Sequence, residues 1–293
     1  MRLELQQTLT HPNSVYAVTY SPDGKLLATA SLDNSLKLWE AASGKELARL
    51  TGHGDGVCGV AFSADGKKLY SASLDKTVKV WDVASGAAEA THGGHGAYIE
   101  SFAASADRTT LATGSHDKSI RVITAENGAL QATLSGHADA VFSVALASEG
   151  KQAASGSNDG TLRLWDVAKG ASRTVTGNDG VPHAVCFTYD NKTVISGGNT
   201  GSIECWNAAT AERFQTLEGH QSPVKSLAVS NDDRLLVSGG HDATVRVWDL
   251  PNGKLLTTAT AHKNNVYGVA ISPSGKQIAS ASFDRTIKVW AIA

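Results

Sequence analysis

His53, Ser71, Asp75 and Trp81 include the three residue types from which a hydrolase assembles a nucleophile, its base and the group that orients that base. The same set returns as His137, Ser155, Asp159 and Trp165, and again as His220, Ser238, Asp242 and Trp248. A hydroxyl activated by an imidazole would make acyl transfer the chemistry to consider. Multiplicity argues against it. The hydroxyl position is filled throughout the chain by Thr29, Ser71, Thr113, Ser155, Ser196, Ser238 and Ser280. The carboxylate position holds Asp33, Asp75, Asp117, Asp159, Asp242 and Asp284, broken only by Thr200. An active site has no use for six or seven copies of itself, whereas a repeated scaffold needs every copy. The set is therefore expected to be structural, and no residue is assigned to catalysis.

The repeat that carries the set is regular. Tryptophan stands at 39, 81, 165, 206, 248 and 290, with successive gaps of 42, 84, 41, 42 and 42 residues. The missed position holds Ile123. A second column lies 28 residues earlier at His11, His53, His95, His137, Asn178, His220 and His262. The two columns stay in phase, so the chain holds seven copies of one unit, with one deletion between Trp165 and Asn178. A period near 40–45 residues with a Gly-His opening and a Trp-Asp close is the signature of propeller blades. On these residues the chain resembles the WD-repeat (WD40) family, and specifically its small free-standing adaptors, over residues 1–293. The fold expected is all-β: a seven-bladed propeller with four antiparallel strands per blade, closed by the N-terminal strand. One domain is expected because blades bury their faces only against neighbouring blades. Its repeats run about 11–51, 52–93, 94–135, 136–176, 177–218, 219–260 and 261–293 plus 3–9.

One unit shows how the strands are specified. Val57 to Phe62 and Lys68 to Ser73 read as strands separated by the turn Ser63-Ala64-Asp65-Gly66, where Gly supplies positive φ. Leu74-Asp75-Lys76 is a tight turn, Thr77 to Trp81 a third strand, and Ala87 to Ala90 the opening of a fourth. The ends of the chain complement one another. Residues 3–9 match the fourth strands of other units, whereas the last unit stops just past its third strand at Trp290. Residues 3–9 are thus expected to pair with the unit of residues 262–292 and to cover an edge that would otherwise invite aggregation.

The resemblance implies what the repeated set does. In the family the matching Asp orients the His, the His bonds the Ser or Thr, and the hydroxyl meets the Trp indole. Such a relay satisfies buried polar groups that would each cost about 1–3 kcal/mol unpaired. Two units depart from it. The third has Ile123 in place of Trp. The fifth has Asn178 for His, Thr200 for Asp, and Glu204 where other units place Lys37, Lys79, Arg121, Arg163, Arg246 or Lys288. Its relay is expected to be largely absent.

The resemblance also implies a binding surface on the narrower face, around the channel, formed by three positions per unit. Carried onto this chain, the candidates are Tyr16, Leu32, Leu74, Tyr98, Glu100, His116, Phe142, His183, Lys225, His241, Tyr267 and Phe283. These positions vary while the scaffold columns repeat. Tyr16, Leu32, Leu74, Tyr267 and Phe283 group on adjoining units, and exposed aromatic groups are the usual anchors of a protein interface. Units four to six are mostly polar there, apart from Phe142. His116, His183 and His241 lie on three different units with no ligand pair close in sequence, so no metal is expected.

Composition narrows the partner class. A net charge of −2 leaves no electrostatic footprint for nucleic acid. There is no run of 18 apolar residues, and the opening residues lack the apolar stretch of a signal peptide. Cys186 and Cys205 fall in columns of small or core residues, and with Cys58 they offer no disulfide framework. The expectation is a non-enzymatic scaffold or adaptor subunit, without cofactor, in the cytoplasm or nucleus. It would act as a monomeric propeller within a hetero-complex and bind peptide or helical segments of other proteins. The alternative is a propeller that recognises substrates or modified residues, as ligase or chromatin-type peptide readers do.

Overall fold

Each repeat forms four strands because turn chemistry punctuates its β-branched and aromatic runs. In the second, Ser63 Oγ donates to Asp65 at 2.7 Å and the Lys67 N–H at 3.0 Å, while Gly66 adopts φ of 71°. The computed structural model describes residues 1–293 and contains strands but no helix. The strands form seven four-stranded antiparallel sheets, the blades. The first six cover residues 15–51, 57–92, 99–135, 141–175, 182–217 and 224–259. The seventh takes three strands from residues 266–292 and its outer strand, Leu3–Thr10, from the other end of the chain. The fold is the seven-bladed propeller expected from the repeat. Strand bounds differ slightly: the third strand of blade two is Val78–Asp82 and the fourth Ala88–His92. Thr77 stays in the turn because Asp75 accepts both its N–H at 2.9 Å and its hydroxyl at 2.6 Å.

The core is divided into wedges between blades. Trp81, Val60, Phe62 and Leu69 of blade two pack on Leu36, Leu38 and Leu50 of blade one. Val78 and Val80, on the other face of blade two, pack on Ile99 and Leu111 of blade three. Alternate side chains of one strand thus enter different wedges, as strand geometry requires. No blade has a complete core alone. The wedge between blades seven and one contains Leu9 with Trp39, Ile287 and Val289, so the N-terminal strand is part of the packing.

The missing tryptophan of blade three is matched by a change across its wedge. The residue 11 positions before each Trp rung is Ala28, Tyr70, Ala112, Ala154, Ile195, Val237 or Ala279. Tyr70 shares a wedge with Ile123, and both are buried. A larger ring on one side makes up for the smaller side chain on the other, which keeps packing dense where an unfilled space would destabilise.

Candidate functional site

The relay is closed to substrates. His53 Nε2 lies 2.7 Å from Ser71 Oγ, and Nδ1 lies 2.7 Å from Asp75. The Trp81 indole N–H donates to Ser71 Oγ at 2.8 Å. With the proton on Nδ1, the Ser71 hydroxyl donates to Nε2 and accepts from Trp81, so its polar capacity is largely used. Ser71 is 0% exposed, and no substrate carbonyl can reach it. His137, Ser155, Asp159 and Trp165 repeat the arrangement at 2.7–2.9 Å, as do His220, Ser238, Asp242 and Trp248. Burial lowers the pKa of His53 and His137, against the pull of their Asp partners. Burial alone would raise Asp117, but hydrogen bonds from Ser119, His95 and the Gly96 N–H hold it down at about 2.

The relay also positions the channel rim. Asp75 accepts the Gly54 N–H at 2.9 Å and so ties the loop before the inner strand to the turn that follows Leu74. That loop and turn present Leu74 and the start of Val57–Phe62 at one end of the channel.

Blade five is rewired, and the expectation of a largely absent relay needs correction. Trp206 still donates to Ser196 at 2.8 Å. Glu204, 4% exposed, brings a carboxylate where the histidine would stand. It accepts the Ser196 hydroxyl at 3.4 Å, the Asp179 N–H at 2.9 Å and the Arg213 guanidinium at 2.8 Å. Arg213 lies over the Trp206 ring, 5.8 Å from its centroid, the place that Lys37 and Arg163 take over Trp39 and Trp165. The acid and base have exchanged strands, which no single column reveals. Removing one member of such a buried pair strands the other. Glu204→Ala should therefore cost about 3 kcal/mol or more of stability. A shift in urea midpoint worth under about 1 kcal/mol would show that the pair is idle.

A backbone irregularity aims the candidate binding residues. In every inner strand the register slips across one residue: between Val15 and Ala17, Val57 and Gly59, Ile99 and Ser101, Val141 and Ser143, Pro182 and Ala184, Val224 and Ser226, and Val266 and Gly268. The skipped residues are Tyr16, Cys58, Glu100, Phe142, His183, Lys225 and Tyr267. A β-bulge re-aims the side chain that it leaves unpaired. All seven line a cavity of about 370 Å³ at this end of the channel. The sequence does not signal the bulge, since the residue types at these positions share no property.

The rim carries two groups of rings. Tyr16 stacks on Tyr267 at 4.5 Å, and Tyr267 lies 6.0 Å from Phe283, which is 40% exposed. Leu32 and Leu74 both pack where Gly56 leaves room for them. The second group links Tyr98, His116, Phe142 and His183, with centroids 6.1, 6.1 and 5.2 Å apart. Tyr98 is 51% exposed. Units three to five are therefore richer in rings than the view of a mostly polar side allowed, because imidazoles stack with the aromatic side chains. His241 packs against Tyr267 at 5.4 Å.

Charge is concentrated between these groups. His116 lies 3.3 Å from Glu100, and Lys225 Nζ lies 3.1 Å from His183 Nδ1. Burial raises the pKa of Glu100 against opposing pulls from His116 and Lys225. Burial lowers Lys225, with Glu100 opposing. His183 falls to about 4, through burial and then the nearby Lys225 and His241, so it is neutral at pH 7. No cluster of three metal-ligating side chains occurs. The thiols are inert: burial raises Cys58 and Cys186 and pushes Cys205 up to about 12.

Comparison with known proteins agrees with this architecture. The family described as WD domain, G-beta repeat matches residues 3–40, 44–82, 86–124, 128–166, 171–207, 211–249 and 253–291. The chain belongs to the WD-repeat family. Each match begins on an outer strand and ends on the third strand of the next blade, so the family unit spans a blade boundary. WD-repeat propellers in general bind other proteins and are not catalysts. A 37-residue segment is 57% identical to Ribosome assembly protein 4 of Chaetomium thermophilum. It covers 13% of this chain and 7% of that relative, so the match spans a small part of the relative's length. No helix of this WD-repeat propeller is long and apolar enough to cross a membrane.

Proposed function

We propose that this protein is a non-enzymatic scaffold that docks a segment of a partner protein on the ring-bearing face. The supporting observation is the bulge in all seven inner strands, which turns seven dissimilar side chains into one concave mouth on a rigid scaffold. Phe283 and Tyr98 are the exposed large hydrophobic residues on that rim. Large, stiff rings bury area at small entropic cost, and they dominate binding when central. The propeller acts as a single monomeric domain inside a hetero-complex, in the cytoplasm or nucleus. The relative's name, a ribosome assembly protein, is in keeping with work inside a larger assembly. The reading as a recogniser of modified residues has less support, because Glu100 already has Lys225 within electrostatic reach to balance it.

Affinity purification with mass spectrometry identifies the partner, and titration calorimetry on variants then locates the interface. Phe283→Ala or Tyr16→Ala should weaken binding at least about tenfold, equal to about 1.4 kcal/mol. Lys79→Ala and Arg163→Ala, in the scaffold column behind the rim, should leave affinity nearly unchanged. A partner that tolerates Tyr16→Ala and Phe283→Ala together does not bind here.

A further inference from the structure

The channel has two chambers. Val18, Val60, Phe102, Val144, Val185, Leu227 and Val269, one from each blade, line both and form an apolar waist between them. The second chamber, about 330 Å³, opens at the end opposite the ring-bearing face. Its walls are apolar, with Ala103, Leu146, Phe187 and Ile271 among them, and Arg108 is its one cationic side chain.

Arg108 is unusual in three respects. It stands in the turn between the first two strands of blade three, with φ of 60°. The matching positions in four other blades are Gly24, Gly66, Gly150 and Gly275, at φ of 69–72°. Glycine takes that conformation freely, whereas a side chain strains it. The Arg108 side chain is half-buried yet makes neither a hydrogen bond nor an ion pair. The nearby carboxylates are engaged elsewhere: Asp107 accepts from Ser105 and Thr109, and Asp233 accepts the N–H groups of Tyr189 and Asp190.

The rim around Arg108 is tied together. Ser148 accepts the Asp107 N–H through its carbonyl and donates its hydroxyl to the Tyr189 carbonyl at 3.0 Å. Its own N–H donates to Asn191 at 2.8 Å. With the Asp233 bonds, these contacts join the turns of blades three to six into one fixed edge. Tyr189, 42% exposed, stands on that edge within electrostatic reach of Arg108 and makes no hydrogen bond through its hydroxyl.

We propose that this second mouth binds a partner polypeptide through a carboxylate carried beside an apolar side chain. The apolar side chain enters the chamber, and the carboxylate pairs with the Arg108 guanidinium. A guanidinium offers a planar fork of donors that matches a carboxylate in two bonds. Placed at the edge of an apolar cavity, it is worth more than on an open surface, because less water competes. The carboxylate is either the end of a chain or an acidic side chain.

Three acetylated peptides test this by titration calorimetry: Ala-Ala-Leu-Phe with a free C-terminal carboxylate, the same sequence amidated, and Ala-Glu-Leu-Phe amidated. At least one of the two carboxylate-bearing peptides should bind with Kd in the millimolar range or below, roughly −4 kcal/mol or better. The uncharged amide should bind at least about tenfold more weakly. Whichever carboxylate peptide binds more tightly assigns the source. Arg108→Gly is the decisive variant, because it installs the residue that four other blades use and so relieves strain. It should leave the urea midpoint unchanged or raised while weakening the carboxylate peptide at least about tenfold. Phe283→Ala, on the other face, should leave this binding unchanged. Equal affinity for acid and amide, undiminished binding by Arg108→Gly, or no binding up to about 5 mM overturns the proposal.

Discussion

Deleting residues 1–10 should abolish the stable ring. The strand Leu3–Thr10 pairs with Thr286–Ile292 over its whole length, with one slip between Leu5 and Gln7. Leu9 is 6% exposed in the wedge between blades seven and one. Gln7 donates to the carbonyls of Ala41 and Ala42, and Lys37 donates to the Thr10 carbonyl, so the strand also binds blade one. Its loss removes a wedge residue, a row of ladder bonds and the tie between first and last blades, and it bares an edge that templates aggregation. Burying Leu9 alone is worth about 2–5 kcal/mol on the scale of Leu→Ala changes, a large part of a domain's usual stability. The shortened chain should therefore be largely insoluble, or unfold at much lower urea than the full chain.

A rearranged chain separates closure from mere shortening. The Arg2 N–H donates to the Ala293 carbonyl at 2.8 Å, and the Ala293 N–H returns a bond at 3.0 Å. The two ends are thus neighbours in one antiparallel pair, suited to a two-residue hairpin turn. A chain that starts at His11, passes from Ala293 through Gly-Gly and ends with residues 2–10 should regain most of the stability. An equal urea midpoint for the full and shortened chains would falsify closure by this strand.

The second large effect is with pH. Burial lowers the pKa of His53, His95, His137 and His262, with partial opposition from Asp partners, and brings His11 down to about 4. In the unfolded chain these imidazoles return to about 6.5. Between those limits the unfolded state binds protons that the native state refuses, so stability falls as pH falls. The loss begins below about pH 7 and grows until the native histidines also titrate. With about 1.4 kcal/mol for each pKa unit, five such groups should remove on the order of 5 kcal/mol between pH 7 and pH 5.

Carboxylates extend the loss to lower pH. Asp284 would rise through burial, but hydrogen bonds from Thr286, the Lys263 N–H and His262 hold it at about 2. Its contribution is present above about pH 4 and disappears as pH falls through its native value. Burial raises Glu100 and Glu204, so these two work in the opposite sense. They are outnumbered by the histidines. Urea midpoints measured from pH 7.5 to pH 5 should fall steadily, with the m-value held. A flat profile would show that the imidazoles are not held neutral by burial.

Fold and scaffold were legible in the sequence because every blade has the same needs. Each requires a ring or its substitute for the wedge, a hydroxyl and an acid for the relay, and a turn residue tolerant of positive φ. Those needs recur at one spacing, so Trp39 to Trp290 and His11 to His262 disclose them without any second sequence. The spare strand at one end and the missing one at the other made the closure readable too. What depends on neighbours was not legible. Glu204 and Arg213 occupy different columns, and only strand pairing shows that they replace a histidine and a base. Tyr70 and Ile123 are 53 positions apart, and only the wedge shows that one makes up for the other. The bulge that turns Tyr16 and Glu100 toward the channel is a backbone slip with no residue signature. The unpaired state of Arg108 depends on where Asp107 and Asp233 spend their oxygens. Local periodicity records what one blade asks of its own residues; contacts across the channel and between blades exist only once the ring is closed.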